Sequence, residues 1–151
     1  MSGIVPAGPG EERAGGPGAG PLPAGTPPAV GMSVTHRRYV PHSHAHYGGS
    51  LVDGAYVLGM FGDVATELCI RTDGDEGLLA GYDEVAFAGP VRAGDVLEAT
   101  AVLTRVGRRS RGVEFTARVV CRAAPQRSPS AADVLPEPVV VAHARATVVV
   151  P

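Results

Sequence analysis

The chain has 151 residues, enough for one domain with a core of its own. Its 13 Lys+Arg against 15 Asp+Glu give a formal net charge of −2, so no global field recruits nucleic acid or a membrane surface. Cys69 and Cys121 lie outside any CxxC pair, no apolar run is long enough to span a bilayer, and the N-terminus lacks a signal-peptide pattern; these features predict buried free thiols and a cytoplasmic location.

Residues 1–31 are mostly Gly, Pro and Ala, a composition that buries too little apolar surface to offset its ordering entropy. They are expected to form a disordered tail, with the folded domain over 32–151. Ser33–Val40 reads as a first strand, ended by Pro41, and the loop to Tyr47 carries His42, His44 and His46. From about Gly49 to Arg71 the period becomes helical, with Leu51, Ala55, Leu58, Gly62, Ala65 and Cys69 as its apolar stripe. Gly54, Gly59 and Gly62 each cost about 1 kcal/mol relative to Ala in a helix. They predict an enclosed helix with something packed hard against its backbone.

After a turn at Thr72–Gly77, four strands are expected near Leu78–Ala88, Val96–Val106, Gly112–Arg122 and Val139–Val150. Leu97, Ala99, Ala101 and Leu103, then Val113, Phe115, Ala117 and Val119, alternate as half-buried antiparallel strands do. Pro125–Pro138 reads as an irregular excursion before the last strand. One strand, one buried helix and a run of long antiparallel strands define an α+β fold, a sheet wrapped around a central helix. Its unpaired sheet edges imply a homodimer or a higher homo-oligomer.

The chemistry concentrates at His46-Tyr47-Gly48-Gly49-Ser50-Leu51-Val52-Asp53. A Gly pair at a helix start leaves bare amides where a negative oxygen can sit, and His46 and Asp53 supply proton-transfer groups beside it. On a helical wheel Gly49, Asp53, Tyr56, Met60, Asp63 and Glu67 fall within roughly 80°. Carboxylates on an enclosed helix must be paired, hydrogen-bonded or used for proton transfer. Asp53 lies one turn past the Gly pair; for Asp63 and Glu67 the competing reading is a pair with arginine. The alternating histidines lack the partner set of a zinc site, since only His36 and His143 remain, so no metal is expected.

The run Phe87-Ala88-Gly89-Pro90-Val91-Arg92-Ala93-Gly94-Asp95 resembles the F-x-x-P-V-x-x-G-D motif of hotdog-fold acyl-CoA enzymes. More narrowly, His46–Ala55 is similar to the β-aminoacyl-CoA ammonia lyase family. So are Phe61–Leu68, Asp73–Leu78, and Ala131–Leu135 with Glu137–Val141; the match is colinear from Arg37 to Pro151. Ser50 stands where that family would be expected to carry Asn. The resemblance implies a hotdog fold and interconversion of a 3-aminoacyl-CoA with the 2-enoyl-CoA plus ammonia. No cofactor is then needed beyond the coenzyme A of the substrate.

Under that resemblance Asp53, His46 and Glu67 are the catalytic candidates. Gly48 and Gly49 would hold the enolate-like oxygen, with Tyr47 and Asp63 as further substrate contacts. Arg108, Arg109 and Arg111 would meet the coenzyme A phosphates, against the alternative of an ordinary solvated turn. Two enzyme rivals share the fold, an acyl-CoA thioesterase and an (R)-specific enoyl-CoA hydratase. A regulatory acyl-CoA-binding module is the non-enzyme rival, and the acids beside the Gly pair count against it.

Overall fold

The computed structural model describes residues 22–151, so most of the expected tail, residues 1–21, lies outside the described residues. Among the described residues upstream of Met32, Leu22 packs against the core and its carbonyl accepts a hydrogen bond from Arg71. Strand β1 (Ser33–Tyr39) leads through a loop to helix α1 (Gly54–Asp73). Strands β2 (Leu78–Phe87), β3 (Val96–Val106), β4 (Ser110–Ala123) and β5 (Ala132–Val149) follow. They form one antiparallel sheet in the order β1-β3-β4-β5-β2, with β1 and β2 at its edges.

The inner faces of β3 and β4 are the alternating residues of the sequence: Leu97, Ala99, Ala101 and Leu103 are buried, as are Val113, Phe115, Ala117 and Val119. The helix packs on this face, with Phe61 stacked on Phe115 at 4.8 Å between ring centroids. Gly74, in the left-handed region at φ 66°, ends the helix and donates its amide to Ile70.

Several expectations about the helix and the last strand are corrected. The helix starts at Gly54, not near Gly49, because Leu51 and Val52 stay extended and pair with Arg92 and Val91. Its buried residues are Val57, Met60, Phe61, Val64, Ala65, Leu68, Cys69 and Thr72; Ala65 and Cys69 of the predicted stripe are among them, whereas Ala55, Leu58 and Gly62 are not. Ala55, Gly59, Thr66 and Ile70 are exposed, so the single chain encloses the helix on one side only. A Cβ on Gly59 or Gly62 would meet nothing within 4 Å; only Gly54 has a neighbour hard against it. Finally, β5 begins at Ala132, inside what read as an irregular excursion, and pairs with β4 from there.

Candidate active site

The loop before α1 is built from backbone more than side chains. After β1 the chain makes a 3-10 turn at His42–His44 and a second at Gly48–Ser50. Gly49 (φ 69°) and Ser50 (φ 62°) are both left-handed, a conformation glycine adopts freely and serine rarely. The Leu51 carbonyl accepts from His46 at 2.8 Å and from Tyr47 at 2.9 Å, closing the loop. Val52 donates to Val91 at 3.0 Å and Ala93 to Ser50 at 2.8 Å, which pins the segment to the run before β3. The chain therefore reaches the helix start in one fixed direction.

Asp53 is the N-cap of α1, yet its side chain makes no capping hydrogen bond. An N-cap carboxylate ordinarily satisfies a first-turn amide. Here it is left available beside the positive end of the helix. It lines a cleft of about 320 Å³. Tyr47, Val52, Gly54 and Val57 form one wall of that cleft, and Phe87, Pro90, Val91 and Val141 form the other. Asp53 is the only carboxylate among the lining residues, and no Lys, Arg or His is among them. Gly54 leaves room for the Phe87 ring: a Cβ there would stand 2.6 Å from Phe87 Cζ and push the ring aside. An apolar slot with one carboxylate at a helix N-terminus can hold an acyl chain and move a proton at its polar end.

Of the residues singled out in the sequence, Asp53 and Tyr47 share this cleft. His46 stands behind Tyr47, its ring edge-on at 4.6 Å between centroids. Gly48 and Gly49 do not line the cleft, and they precede the helix rather than opening it. Outside the 3-10 turn itself, their amides have no backbone acceptor among the described residues. The free amides of a helix start belong instead to the first turn of α1, beginning at Gly54, which lines the cleft.

The acids further along the helix are paired with β1. Asp63 accepts from Arg38 at 3.0 Å, and Arg38 also lies over the Tyr56 ring, whose hydroxyl meets His44 Nδ1 at 3.0 Å. Glu67 is bonded to His36 at 3.2 Å and Arg71 at 3.0 Å. Burial pushes the Glu67 carboxyl up, but the hydrogen bonds and charges of Arg71 and His36 outweigh it and hold the group below its ordinary value.

Arg111 is buried and forked onto Asp73, with Nη2 at 2.6 Å from the carboxylate, at the far end of the helix from Asp53. Twenty helical residues separate the two ends by about 30 Å. Arg108 and Arg109 are exposed in the neighbouring turn. Within one chain, then, Asp63, Glu67 and the three arginines do not meet Asp53. Sequence reasoning passed over Gly54, Phe87 and Val141 as site residues. Phe87 opens the F-x-x-P motif, a signal that was read for the fold and not for the cleft.

A five-stranded antiparallel sheet around one long helix, with a cleft at the helix N-terminus, defines a hotdog-fold protein. Residues 49–126 match the thioesterase superfamily. The 3-aminobutyryl-CoA ammonia lyase of Acetoanaerobium sticklandii is 53% identical over 107 residues, 71% of this chain and 85% of that protein. The structure of β-alanyl-CoA:ammonia lyase from Clostridium propionicum superposes with a TM-score of 0.76 at 33% identity, covering 81% of this chain and 87% of that one. A hexameric hotdog-fold thioesterase of Campylobacter jejuni, at 18% identity and TM-score 0.64 over 77% of this chain and 80% of its own, shares the fold. The chain belongs to the thioesterase superfamily and, within it, to the β-aminoacyl-CoA ammonia lyases.

Proposed function

We propose that this protein is a carbon–nitrogen lyase that interconverts a 3-aminoacyl-CoA with the 2-enoyl-CoA and ammonia. The observation that carries the reading is the 53% identity to a 3-aminobutyryl-CoA ammonia lyase, joined to a lone carboxylate at the helix N-terminus. Asp53 takes the proton from the carbon next to the thioester. The enolate-like oxygen faces the first-turn amides at Gly54, which the helix dipole favours. The electron pair then forms the double bond as the carbon–nitrogen bond breaks, and the abstracted proton departs with ammonia as ammonium. Phe87, Val57 and Val141 exclude water around the short acyl chain, and Tyr47, backed by His46, holds its open end. Glu67 and Asp63 act through their pairs with β1, as positioning groups for the helix.

The protein works as a cytoplasmic homo-oligomer, since β2 leaves an unpaired edge beside Phe87, which is 55% exposed. A monomeric mass at every concentration in sedimentation would overturn that part.

The decisive assay mixes the protein with crotonyl-CoA and ammonium and follows enoyl absorbance together with free thiol. Loss of absorbance that requires ammonium, without thiol release, is expected; loss without ammonium would mean a hydratase, and thiol release a thioesterase. Asp53→Asn should lower turnover at least about a hundredfold, the lower range for losing a positioned acid–base group, at an unchanged thermal midpoint. Full activity in Asp53→Asn would remove the proposed base.

A further inference from the structure

Among the described residues Asp95 is the one acidic side chain that is fully buried, at 0% exposure. Its carboxylate is set into the turn that closes the F-x-x-P-V-x-x-G-D motif. Oδ2 accepts from the Arg92 amide at 2.9 Å, and the Asp95 amide donates back to the Arg92 carbonyl at 3.1 Å. Gly94, at φ 91°, supplies the left-handed step inside this turn. Arg122, near the end of β4 and 32 residues beyond Pro90, completes the arrangement. Its Nη2 donates to Asp95 Oδ2 at 3.2 Å and to the Pro90 carbonyl at 2.9 Å.

As a source of stability this pair is poorly made. Asp95 Oδ1 and Arg122 Nε are both buried and have no hydrogen-bond partner among the described residues. Taking a carboxylate and a guanidinium out of water is costly, and a pair that leaves an atom of each unsatisfied gains little over an apolar filling. What the pair does is fix backbone. Pro90 and Val91 line one wall of the Asp53 cleft, and Val52 and Asp53 belong to the other. The Val91 carbonyl accepts from the Val52 amide at 3.0 Å, and the Ala93 amide donates to the Ser50 carbonyl at 2.8 Å. Arg122 and Asp95 thus hold Pro90–Ala93, that run holds Ser50–Val52, and Asp53 is the next residue along.

We infer that Arg122 is a positioning residue for the reaction. Through Pro90 and Asp95 it sets the separation of the two cleft walls, and so the reach of the Asp53 carboxylate toward the carbon next to the thioester. This rests on the reading of Asp53 as the base. Arg122 does not itself line the cleft, and its charge is met by Asp95. Its effect on turnover is therefore one of geometry, where a displacement of about 1 Å can cost up to about a hundredfold.

Arg122→Met leaves Asp95 buried without its partner and should lower the thermal midpoint together with turnover. Asp95→Asn/Arg122→Met separates the two effects. It leaves no unpaired buried charge and keeps an acceptor for the Arg92 amide, while the Pro90 carbonyl, in an exposed residue, can turn to solvent. Its thermal midpoint should recover toward that of the parent, with kcat still down by about ten- to a hundredfold and KM little changed. Parent-like kcat in this double variant would overturn the inference. Amide hydrogen exchange read residue by residue gives a second measure that needs no turnover. In the double variant Val52 and Ala93 should exchange roughly tenfold faster or more, as for a lost charge-assisted hydrogen bond, while Ala99 and Ala117 in the sheet centre keep the parent rate. Acceleration shared equally by all four amides would mark a structural pair and overturn the positioning role. If the parent shows no ammonium-dependent loss of enoyl absorbance, the lyase reading falls, and the exchange pattern still decides whether Arg122 holds the cleft.

Discussion

Gly54→Ala separates the shape of the cleft from the stability of the fold. The new Cβ would stand 2.6 Å from Phe87 Cζ, 2.9 Å from Cε1 and 3.1 Å from Cε2. Carbon atoms rest about 3.5–4.0 Å apart, so the ring must retreat by about 1 Å. Phe87 sits half-exposed at the end of β2 and can swing toward solvent without moving backbone. Ala gains helix propensity over Gly, at most about 1 kcal/mol and less at a first helical position, which offsets part of the lost ring packing. The thermal midpoint should therefore stay within about 5 °C. The catalytic cost differs, because a displacement of about 1 Å in a wall that positions substrate can cost up to about a hundredfold. Steady-state loss of enoyl absorbance should show kcat/KM down by about ten- to a hundredfold, beside an almost unchanged melting curve. The Gly54→Ala/Phe87→Ala double variant should be no worse than Phe87→Ala alone, since the clash is gone. Losses that multiply in the double variant would refute the steric reasoning.

Two further outcomes concern the paired charges. Arg111→Ala leaves the Asp73 carboxylate buried without its partner; the two side chains are 7% and 13% exposed, so destabilisation of roughly 3 kcal/mol or more is expected, read as a fall on the order of 10 °C in thermal midpoint. Unchanged melting would mean that solvent reaches the pair. Glu67 has a folded-state pKa below its ordinary value of 4.5, so the folded state binds fewer protons than the unfolded chain and this contribution is present above that value. It is lost as pH falls through the lowered pKa. The gap in stability between the parent and Glu67→Gln should accordingly close on acidification below pH 4.5, and a gap that widens there would contradict the assigned pairs.

Strands β3 and β4 were legible because alternation at period 2 leaves one reading of which face is buried. The start of β5 was not, because Pro136 and Pro138 argue against a strand. Both prolines fall where the register with β4 shifts, between Val134 opposite Cys121 and Val139 opposite Val119. The other side of this stretch is unpaired, since β2 meets β5 only from Ala142 onward, so the missing amides interrupt no ladder there. The buried helix face was misread for a different reason. Ala55, Leu58 and Gly62 keep the apolar period, but Val57, Phe61, Val64 and Leu68 carry more area to bury and set the orientation. Asp53 and Tyr47 were legible as neighbours in sequence. The fate of Arg111 was not, because its partner Asp73 is 38 residues away and only the fold brings them together.

The N-cap of α1 has a consequence for how this fold can change its chemistry. The helix start is held by backbone, through Tyr56 to the Asp53 carbonyl at 3.2 Å and Val52 to Val91 at 3.0 Å, and not by the Asp53 carboxylate. The carboxylate is therefore under no obligation to the fold. Asn or Ser at position 53 would cap the helix as well or better, and the sheet would not register the exchange. Selection can exchange the side chain at this position in a single step while the scaffold persists. A hotdog domain built this way leaves the residue at the mouth of its cleft free to vary, which suits a superfamily whose members put one architecture to several thioester chemistries.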